Sequence, residues 1–275
     1  MRGIMTIRDS GTSDLVPSQH SKVVIVTGGA RGLGRACVER FLNDGAAVVA
    51  VDIDEAGLAD CASKSDHSAE RLRTVIADVS KRIDIERAVD IAVREFGQID
   101  VMINNAGIVR SQDFLAVTED DFDQVLGVNL KGPFLGVQAA ARAMIAGGNG
   151  GVIINMSSIN AILGNPSIAT YAISKGGLNQ LTATAALALA PHGIRVVGIG
   201  PGTILTDMVA KSIMTSDEAR HSILSRTPMG RCGDPSEIAS VTAFLAGKDA
   251  SYVTGQTIYP DGGRLILNYT VPVAP

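Results

Sequence analysis

The sequence predicts an α/β fold in which helices cover both faces of a doubly wound, parallel β-sheet. Three observations lead to this prediction: short β-branched runs, longer amphipathic stretches between them, and small or polar residues where each run ends. Near-continuous apolar runs are typical of strands whose two faces are both covered. Their alternation with segments of helical length is typical of βαβ units and therefore of parallel pairing. A chain of 275 residues is long enough to bury the core of one such domain.

Six apolar runs are predicted to be buried strands, and four segments between them have helical length. The strands are 22–28, 46–52, 73–79, 100–107, 151–158 and 194–202. The helices are 31–44, 81–97, 118–146 and 168–191. A last strand at the sheet edge is predicted within TGQTIYPDGG (254–263), between a turn and a loop. In sheets of this kind ligands bind beyond the carboxyl ends of the strands, so the functional residues are expected there.

Two segments outside this pattern carry separate expectations. Residues 1–20 lack the sustained apolar stretch of a secretory signal and are predicted to be a flexible N-terminal extension. Residues 21–275 are then a single domain, because no linker divides them. Residues 203–234 look irregular and are expected to cover the cleft as a mobile lid.

The composition argues against several classes of function. A net charge of −4, without any Lys/Arg-rich block, argues against a nucleic-acid partner. No apolar run reaches the roughly 18 residues of a membrane span, so no membrane partner is expected. The cysteines are odd in number and lack a CxxC pattern, which favours a reducing, cytoplasmic compartment; they are Cys37, Cys61 and Cys232. The histidines lack metal-ligand spacing, so no metal is expected; they are His20, His67, His192 and His221.

A glycine-rich loop, TGGARGLG (27–34), follows the first strand and opens the first helix. Gly28, Gly32 and Gly34 permit a tight turn there and let backbone N–H groups approach a pyrophosphate at the helix N-terminus. Ordinary strand–helix turns also use glycine, so the loop alone is weak support for a nucleotide site. The strand before it, the helix after it and an acid closing the second strand strengthen the prediction.

That acid is Asp52, eighteen residues beyond Gly34. A carboxylate at this point can accept both hydroxyls of an adenosine ribose and would repel a 2′-phosphate. The alternative is an ordinary solvated Asp at a strand end. Arg31, inside the glycine loop, favours the opposite choice because it can pair with a 2′-phosphate. Placing a phosphate against an unpaired carboxylate costs more than leaving an arginine in water, so NAD is favoured over NADP.

Two further strand ends carry candidate cofactor contacts. Asp78 can contact adenine through its carboxylate while Val79 packs on the ring, although a helix N-cap, for which Ser80 is better suited, is nearly as good an interpretation. In NNAG (104–107), Asn104 can tie neighbouring strand ends together through its amide. Ala106 and Gly107 leave room for the adenosine ribose in the same motif, and structural and cofactor roles can coexist there.

A tyrosine and a lysine lie four residues apart in YAISK (171–175), on one face of a predicted helix. An isolated phenol, with a pKa near ~10, is protonated at neutral pH, and a neighbouring ammonium favours the phenolate. Lowering the pKa of Tyr171 toward ~7 requires about 4 kcal/mol of preferential phenolate stabilisation, to which Lys175 can contribute. The pair therefore predicts a proton-transfer device, although this spacing alone is a common coincidence.

Taken together and in order, these motifs resemble the short-chain dehydrogenase/reductase family. The resemblance covers about residues 21 to 264, and its motifs are TGGARGLG, Asp52, NNAG, Asn129, Ser158, YAISK, PGTILT (201–206) and TGQTIYPDGG. It implies a seven-stranded Rossmann fold with strand order 3-2-1-4-5-6-7, in which one domain binds the dinucleotide and carries out catalysis. It also implies NAD(P)-dependent oxidation of an alcohol or reduction of a carbonyl, usually within a homotetramer.

The resemblance implies a role for each of four catalytic residues. Tyr171 is the general acid/base, and Lys175 lowers its pKa and binds the nicotinamide ribose. Ser158 holds the substrate oxygen, because the family's serine precedes its tyrosine by thirteen residues, which selects it over Ser157. Asn129, in GVNLKG, holds a water that relays protons from Lys175.

The implied cofactor-binding set extends from the glycine loop to PGTILT, whose backbone and threonine hydroxyl face the carboxamide end of nicotinamide. Its members are Gly28, Arg31, Gly32, Leu33, Gly34, Asp52, Ile53, Asp78, Val79, Asn105, Ala106, Gly107, Tyr171, Lys175, Pro201, Gly202, Ile204 and Thr206.

The sequence thus predicts an NAD-dependent oxidoreductase that interconverts a secondary alcohol and a ketone. The absence of Trp and the 4% aromatic content argue for a sugar, polyol or small hydroxy compound over a steroid. Two alternatives stay open: an NADPH-dependent 3-oxoacyl-carrier-protein reductase, for which no basic docking patch is evident, and a nucleotide-responsive binding protein without turnover. The candidate pocket residues are Asn160, Asn165, Ile168, Thr203 and Met208.

Overall fold

The computed structural model of the protein describes residues 22–65, 68–206, 209 and 216–273. Within these ranges seven strands form one sheet: β1 (Val23–Thr27), β2 (Ala47–Asp52), β3 (Leu72–Ile76), β4 (Val101–Asn104), β5 (Gly151–Met156), β6 (Ile194–Ile199) and β7 (Thr257–Ile258). Neighbouring strands are parallel, and their order is β3-β2-β1-β4-β5-β6-β7. The predicted seven-stranded, doubly wound fold and its strand order are confirmed.

Helices cover both faces of this sheet and create two hydrophobic cores. They are α1 (Gly32–Asn43), α2 (Glu55–Ser63), α3 (Ser68–Arg71), α4 (Arg82–Phe96), α5 (Glu119–Leu126), α6 (Gly132–Gly147), α7 (Ala169–Leu189), α8 (Asp217–Leu224) and α9 (Pro235–Ala246). Strand β1 serves both cores, because Val24 and Val26 pack with α1, α2 and α9, whereas Val23 and Ile25 pack with α4, α6 and α7. This alternation explains why the strand sequences are apolar throughout.

The predicted strands extend too far at their carboxyl ends. Strand β4 ends at Asn104 because the Asn105 N–H bonds back to the Ile103 carbonyl at 3.1 Å and turns the chain out of the sheet. Strand β6 ends at Ile199, shortly before Pro201, which has no N–H to continue the ladder. The predicted ranges were too long because they included the small and polar residues that follow each apolar run.

The segment 118–146, predicted as one helix, is interrupted in the structure. A π-helical turn (Gly127–Lys131) separates α5 from α6. Such turns occur most often at functional sites, and this one carries Asn129. Helix α9 was not predicted, although its start has a strong signal: the Asp234 side chain and Glu237 form a capping box.

The segment 203–234 is less irregular than expected, because it contains α8, which the Ser216 side chain caps by accepting a hydrogen bond from the Ala219 N–H. Residues 207, 208 and 210–215 of this segment lie outside the described residues, as does the extension at 1–20. The lid remains a prediction.

A buried amide network connects the sheet to α7. The Asn104 side chain donates to the Asn155 side chain at 2.9 Å, and Asn155 in turn donates to the Thr182 hydroxyl at 2.9 Å. The expectation that Asn104 ties strand ends together is therefore confirmed. A Cβ at Gly136 would overlap the Asn104 side-chain oxygen, so α6 can approach this network only with glycine there. Across the part of the chain described above, none of the helices combines the length and apolarity required to span a bilayer.

Candidate active site

The glycine loop lies at the carboxyl end of β1 and is shaped by backbone geometry. Gly28 and Gly32 have φ angles of +66° and +57°, a region that favours glycine. A Cβ at Gly34 would overlap the Gly28 carbonyl oxygen and lie 2.7 Å from its carbonyl carbon. The start of α1 is therefore packed directly against the turn, with its N-terminal N–H groups available to an anion.

Residues at the end of β4 hold this loop in place. The Asn105 side chain donates to the Thr27 and Gly28 carbonyl oxygens at 2.9 and 3.2 Å. The Thr27 hydroxyl accepts from the Asn105 and Ala106 N–H groups at 3.0 and 3.1 Å. Asn105 and Ala106, predicted to contact the cofactor, thus also have a structural role in fixing the loop.

Asp52 is fixed at the end of β2 by two backbone amides. Its carboxylate accepts from the Ala30 N–H and from the Asp54 N–H, each at 3.1 Å. Beside it the Ile53 side chain is 71% exposed, which presents a bare apolar surface next to the carboxylate. This arrangement suits an adenosine, because the carboxylate can bind the polar ribose and the apolar surface can contact the flat base.

Asp78 is engaged in a local turn. Its carboxylate accepts from the Ser80 N–H and hydroxyl at 3.0 and 2.7 Å, and Lys81 is within 3.5 Å. Partial burial raises the pKa of Asp78, but hydrogen bonds from Ser80 and Lys81 outweigh it and hold the pKa below its usual range. The interpretation of Ser80 as an N-cap is wrong: α4 starts after Lys81, and the Ser80 hydroxyl is turned toward Asp78. Val79 is buried, and a Cβ at Gly132 would lie 3.1 Å from its side chain.

Asn129 is fully buried in the π-helical turn, and both ends of its side-chain amide are hydrogen-bonded. Its oxygen accepts from the Ile108 N–H at 2.8 Å, and its nitrogen donates to the Ile108 carbonyl at 2.8 Å and to the Ser174 hydroxyl at 3.1 Å. A Cβ at Gly107 would lie 3.4 Å from the Asn129 oxygen and 3.6 Å from Lys175 Nζ. The turn therefore connects the loop after β4 to the helix that carries the tyrosine and the lysine.

Ser158 and Ser157 point in different directions. The Ser157 hydroxyl donates to the Asn179 side chain at 2.7 Å. Ser158 lies close enough to Tyr171 to oppose, in part, the rise that burial causes in the pKa of the phenol. The Ser158 oxygen also accepts from the Asn160 backbone and side-chain N–H groups at 3.1 and 3.4 Å. Because a hydroxyl oxygen has two acceptor positions, Asn160 leaves the Ser158 O–H free to donate.

Tyr171 and Lys175 lie near each other on α7, as the spacing predicted, with Lys175 Nζ 5.5 Å from the centre of the Tyr171 ring. The ammonium is buried and donates to the Met156 carbonyl at 2.7 Å. Burial lowers the pKa of Lys175 to about 8. Burial also raises the pKa of Tyr171, with the Ser158 hydrogen bond opposing that shift. The pKa of Tyr171 is thus raised and not lowered as the sequence predicted, because burial outweighs the stabilisation of the phenolate.

The PGTILT segment completes the cleft. The Gly202 N–H donates to the Pro260 carbonyl at 3.1 Å, and a Cβ at Gly202 would lie 2.7 Å from Asp261 Cα. Ile204 is buried and pairs with the strand-like backbone at Gly233. A Cβ at Gly32 would lie 3.5 Å from the Thr206 methyl group, so Thr206 lies across from the glycine loop. The two ends of the predicted cofactor site are therefore neighbours.

Comparison with known proteins agrees with this geometry. A family model described as enoyl-(acyl carrier protein) reductase matches residues 28–264. The 3-oxoacyl-[acyl-carrier-protein] reductase FabG of Thermotoga maritima is 41% identical over 247 residues, covering 90% of this chain and 99% of that protein. The chain belongs to the short-chain dehydrogenase/reductase family. It is accordingly an oxidoreductase that acts on CH–OH and C=O groups and uses NAD(P).

Two further members of the family are similar to this chain over most of its length. The L-rhamnose 1-dehydrogenase (NAD(P)(+)) of Azotobacter vinelandii is 40% identical over 249 residues, covering 89% of this chain and 97% of that protein. A crystal structure of levodione reductase superposes with a TM-score of 0.84 at 35% identity, covering 89% of this chain and 98% of the other. The relatives are named for chemically different substrates.

The family's dinucleotide suits the residues present. The glycine turn exposes N–H groups for a pyrophosphate, and the Asp52 carboxylate stands where a ribose would lie. The buried ammonium of Lys175 faces the same cleft from α7. No group of three or more His, Cys, Asp or Glu side chains able to hold a metal occurs among the described residues.

The candidate substrate residues lie in three loops. Asn160 contacts Ser158, and Asn165 accepts from the Ser167 N–H at 3.1 Å, which fixes the turn just before α7. Ile168 immediately precedes that helix. The Thr203 carbonyl accepts from the Gly233 N–H at 2.9 Å, and Met208 lies outside the described residues.

Sequence reasoning missed Asn179, which connects three elements. Its oxygen accepts from the Ser157 and Thr257 hydroxyls at 2.7 and 3.2 Å, and its nitrogen donates to the Tyr259 hydroxyl at 2.7 Å. The signal was present, because positions 171, 175 and 179 repeat at a spacing of four and so share one helix face. Asn179 thus fixes the strand end that precedes Ser158.

The buried ammonium gives a pH dependence to folding. Since the pKa of Lys175 falls from 10.5 to about 8 on folding, the unfolded chain binds more protons than the folded one between those values. Stability from this group therefore rises with pH across that window, by about 3 kcal/mol. In Lys175→Met this rise should be absent. Urea unfolding of both proteins at pH 7.5 and 10.5 measures it, and parallel pH curves would contradict the burial of a titrating ammonium.

Proposed function

We propose that the protein is an NAD-dependent oxidoreductase that interconverts a secondary alcohol and a ketone, with Tyr171 as its general acid/base. The observation that carries this proposal is the placement of Tyr171 beside the buried ammonium of Lys175, with Ser158 close to the phenol and the glycine loop at the carboxyl ends of the same sheet. A protein that only bound nucleotides would have no use for this set of groups.

In the direction of oxidation, Tyr171 first loses its own proton, and the phenolate then accepts the proton of the substrate hydroxyl. Ser158 donates its O–H to the same substrate oxygen. This donor is available because Asn160 uses only the acceptor positions of the Ser158 hydroxyl. The glycine loop and Asp52 would hold NAD, which would supply the hydride acceptor for this oxidation. In the direction of reduction, Tyr171 returns the proton while Ser158 polarises the carbonyl.

Lys175 supports the phenolate form of Tyr171 by its positive charge. A pKa of about 8 leaves most of the ammonium protonated at neutral pH. We assign to Asn129 the positioning of a proton-relaying water near Lys175. This assignment is supported by the narrow gap at Gly107, which both side chains flank. The hydrogen bonds of the Asn129 amide hold the turn in register with α7.

The choice of NAD over NADP rests on Asp52. Its carboxylate is anchored by two backbone amides and cannot easily turn away from a 2′-phosphate. Repulsion between a fixed carboxylate and a phosphate disfavours NADP. The proposed cofactor contacts are those given by the sequence, from the glycine loop to Thr206.

A sugar, polyol or small hydroxy compound is the proposed substrate class. Amide and hydroxyl side chains on the loops around Ser158 support this choice, namely Asn160, Asn165 and Thr203. So does the similarity to a rhamnose dehydrogenase. The second candidate is an NADPH-dependent 3-oxoacyl-carrier-protein reductase, which the 41% identity to the Thermotoga maritima reductase favours.

Turnover measured by nicotinamide absorbance separates these candidates. The protein is assayed with NAD and NADP against alcohols, polyols, sugars and ketones, and with NADH and NADPH against a 3-oxoacyl thioester. NAD-dependent oxidation of a hydroxy compound is expected. Reduction of the thioester with NADPH alone would establish the second candidate instead. Tight NADH binding without turnover on any substrate would indicate a binding protein.

We also propose a cytoplasmic homotetramer. Strand β7 is a sheet edge, and α6 and α7 expose apolar side chains, which include Phe134, Ile145, Ile173 and Leu187. The cysteines are free, which suits a reducing compartment. A monomeric mass by light scattering at micromolar concentration would contradict the assembly.

A further inference from the structure

Arg31 places a positive charge in the glycine loop. The proposed function requires the same loop to disfavour a 2′-phosphate. The Arg31 side chain is 72% exposed, so with only water around it the guanidinium could pair with a phosphate. The structure instead pairs its guanidinium with the carboxylate of Asp54. Asp54 lies two residues beyond Asp52, immediately after the end of β2.

Both the backbone and the carboxylate of Asp54 are held by hydrogen bonds. Its own N–H donates to Asp52 at 3.1 Å, and its side chain accepts from the Gly57 N–H at 3.1 Å as the N-cap of α2. A Cβ at Gly57 would lie 2.5 Å from the Asp54 carboxylate and 2.9 Å from Ala30 Cβ. The first turn of α2 therefore leaves room for this carboxylate against the loop only because residue 57 is glycine. The Gly57 N–H, and to a smaller extent Arg31, hold the pKa of Asp54 below its usual range, so it is ionised at neutral pH.

We propose that Asp54 is a second cofactor-specificity residue, which occupies Arg31 and adds a negative charge beside Asp52, so that a 2′-phosphate meets two carboxylates. This inference rests on the proposed preference for NAD. It accounts for an arginine inside the glycine loop of a protein that selects against the phosphate it would otherwise attract.

The ion pair itself is exposed and therefore weak. Discrimination against a 2′-phosphate depends on the position of the Asp54 carboxylate and not on the strength of the ion pair. A 2′-phosphate that recruited Arg31 would have to displace Asp54, which the Gly57 N–H holds in place independently of Arg31. Neutralising Asp54 removes the repulsion and releases the guanidinium, and the two effects act in the same direction.

The experiment uses fragments that isolate the 2′-phosphate. Calorimetry measures the affinities of adenosine 5′-monophosphate and adenosine 2′,5′-bisphosphate for the full-length protein and for Asp54→Asn, which keeps an N-capping side chain. We expect the wild type to prefer the monophosphate. In Asp54→Asn the affinity ratio should shift roughly tenfold toward the bisphosphate, and adding Arg31→Ala should reverse most of that shift.

Asp60→Asn is the matched control. Like Asp54, Asp60 is a partly exposed carboxylate that pairs with an arginine, Arg35, but it lies within α2, six residues farther along the chain. Its substitution should leave the ratio unchanged. Thermal melting of each variant, with Asp54→Ser as a second capping substitution, establishes that the fold is intact.

The possible failures are distinguishable. A wild type that binds the bisphosphate more tightly would overturn the proposed preference for NAD itself. A wild type that prefers the monophosphate, with folded Asp54→Asn and Asp54→Ser showing an unchanged ratio, would overturn the role of Asp54 alone. A shift equal to that in Asp60→Asn would also overturn it, because it would then reflect the net charge of the helix.

Discussion

Replacing Tyr171 with phenylalanine is expected to reduce kcat by about 10³-fold, within the range that a positioned general acid/base contributes. The substitution removes only the hydroxyl, which contacts Ser158, and keeps the ring beside Lys175. The affinity for NADH should change little, since the glycine loop and Asp52 are untouched. Steady-state turnover and NADH fluorescence titration measure the two quantities separately.

Tyr252→Phe is the control for this experiment, because it removes the same atom from a fully exposed tyrosine. It should turn over like the wild type. If Tyr171→Phe also retained most of its kcat, another group would have to move the proton, and the proposed mechanism would be wrong. A parallel loss of NADH affinity would instead indicate that the substitution damages the cofactor site.

The sheet was predictable because its signals are local and repeated. Each strand is an apolar run closed by a small or polar residue, such as Asp52 or Asn104. Parallel pairing follows from the alternation of strands and helices, whereas the strand order was implied by the family resemblance. The positions of Gly28, Gly32 and Gly34 within one loop also indicate geometry directly, since positive φ angles and close backbone approach are demands that glycine meets.

The features that could not be predicted depend on contacts between distant segments. The pairing of Arg31 with Asp54 joins residues from two different loops, and nothing in either loop alone specifies it. The pKa of Tyr171 depends on how deeply the surrounding loops bury the phenol, which residue spacing does not contain. The π-helical turn at 127–131 is hidden for another reason: its apolar pattern continues that of the helices on either side.

The proposed proton transfer and the structural support of the site share one helix. The face of α7 that carries Tyr171 and Lys175 also carries Asn179, which holds the end of β5 through Ser157. The buried amides of Asn104 and Asn155 reach the same helix through Thr182. The position of Tyr171 and Lys175 relative to Ser158 is therefore set by a buried polar network, which is satisfied only in one register.

Replacing Gly34 with alanine is expected to abolish measurable NADH binding and to lower the free energy of unfolding by about 3 kcal/mol. The new Cβ would overlap the Gly28 carbonyl oxygen and lie 2.5 Å from the Asn105 side-chain nitrogen. The first of these atoms belongs to the backbone, so relief requires α1 and the loop to separate. That movement also breaks the hydrogen bond from Asn105 to Gly28. Urea unfolding and NADH fluorescence titration measure the two effects.

Gly147→Ala is the matched control, since it makes the same substitution at the end of α6, where nothing lies within 4 Å of an added Cβ. It should bind NADH normally and be as stable as the wild type or slightly more so, because alanine favours a helix over glycine by up to about 1 kcal/mol. The difference between the two variants then reports the close approach of α1 to the turn. Should Gly34→Ala behave like Gly147→Ala in both measurements, this approach would not be what holds the dinucleotide. The anion site would then depend on Gly28 and Gly32 alone, whose positive φ angles shape the turn without requiring contact with the helix.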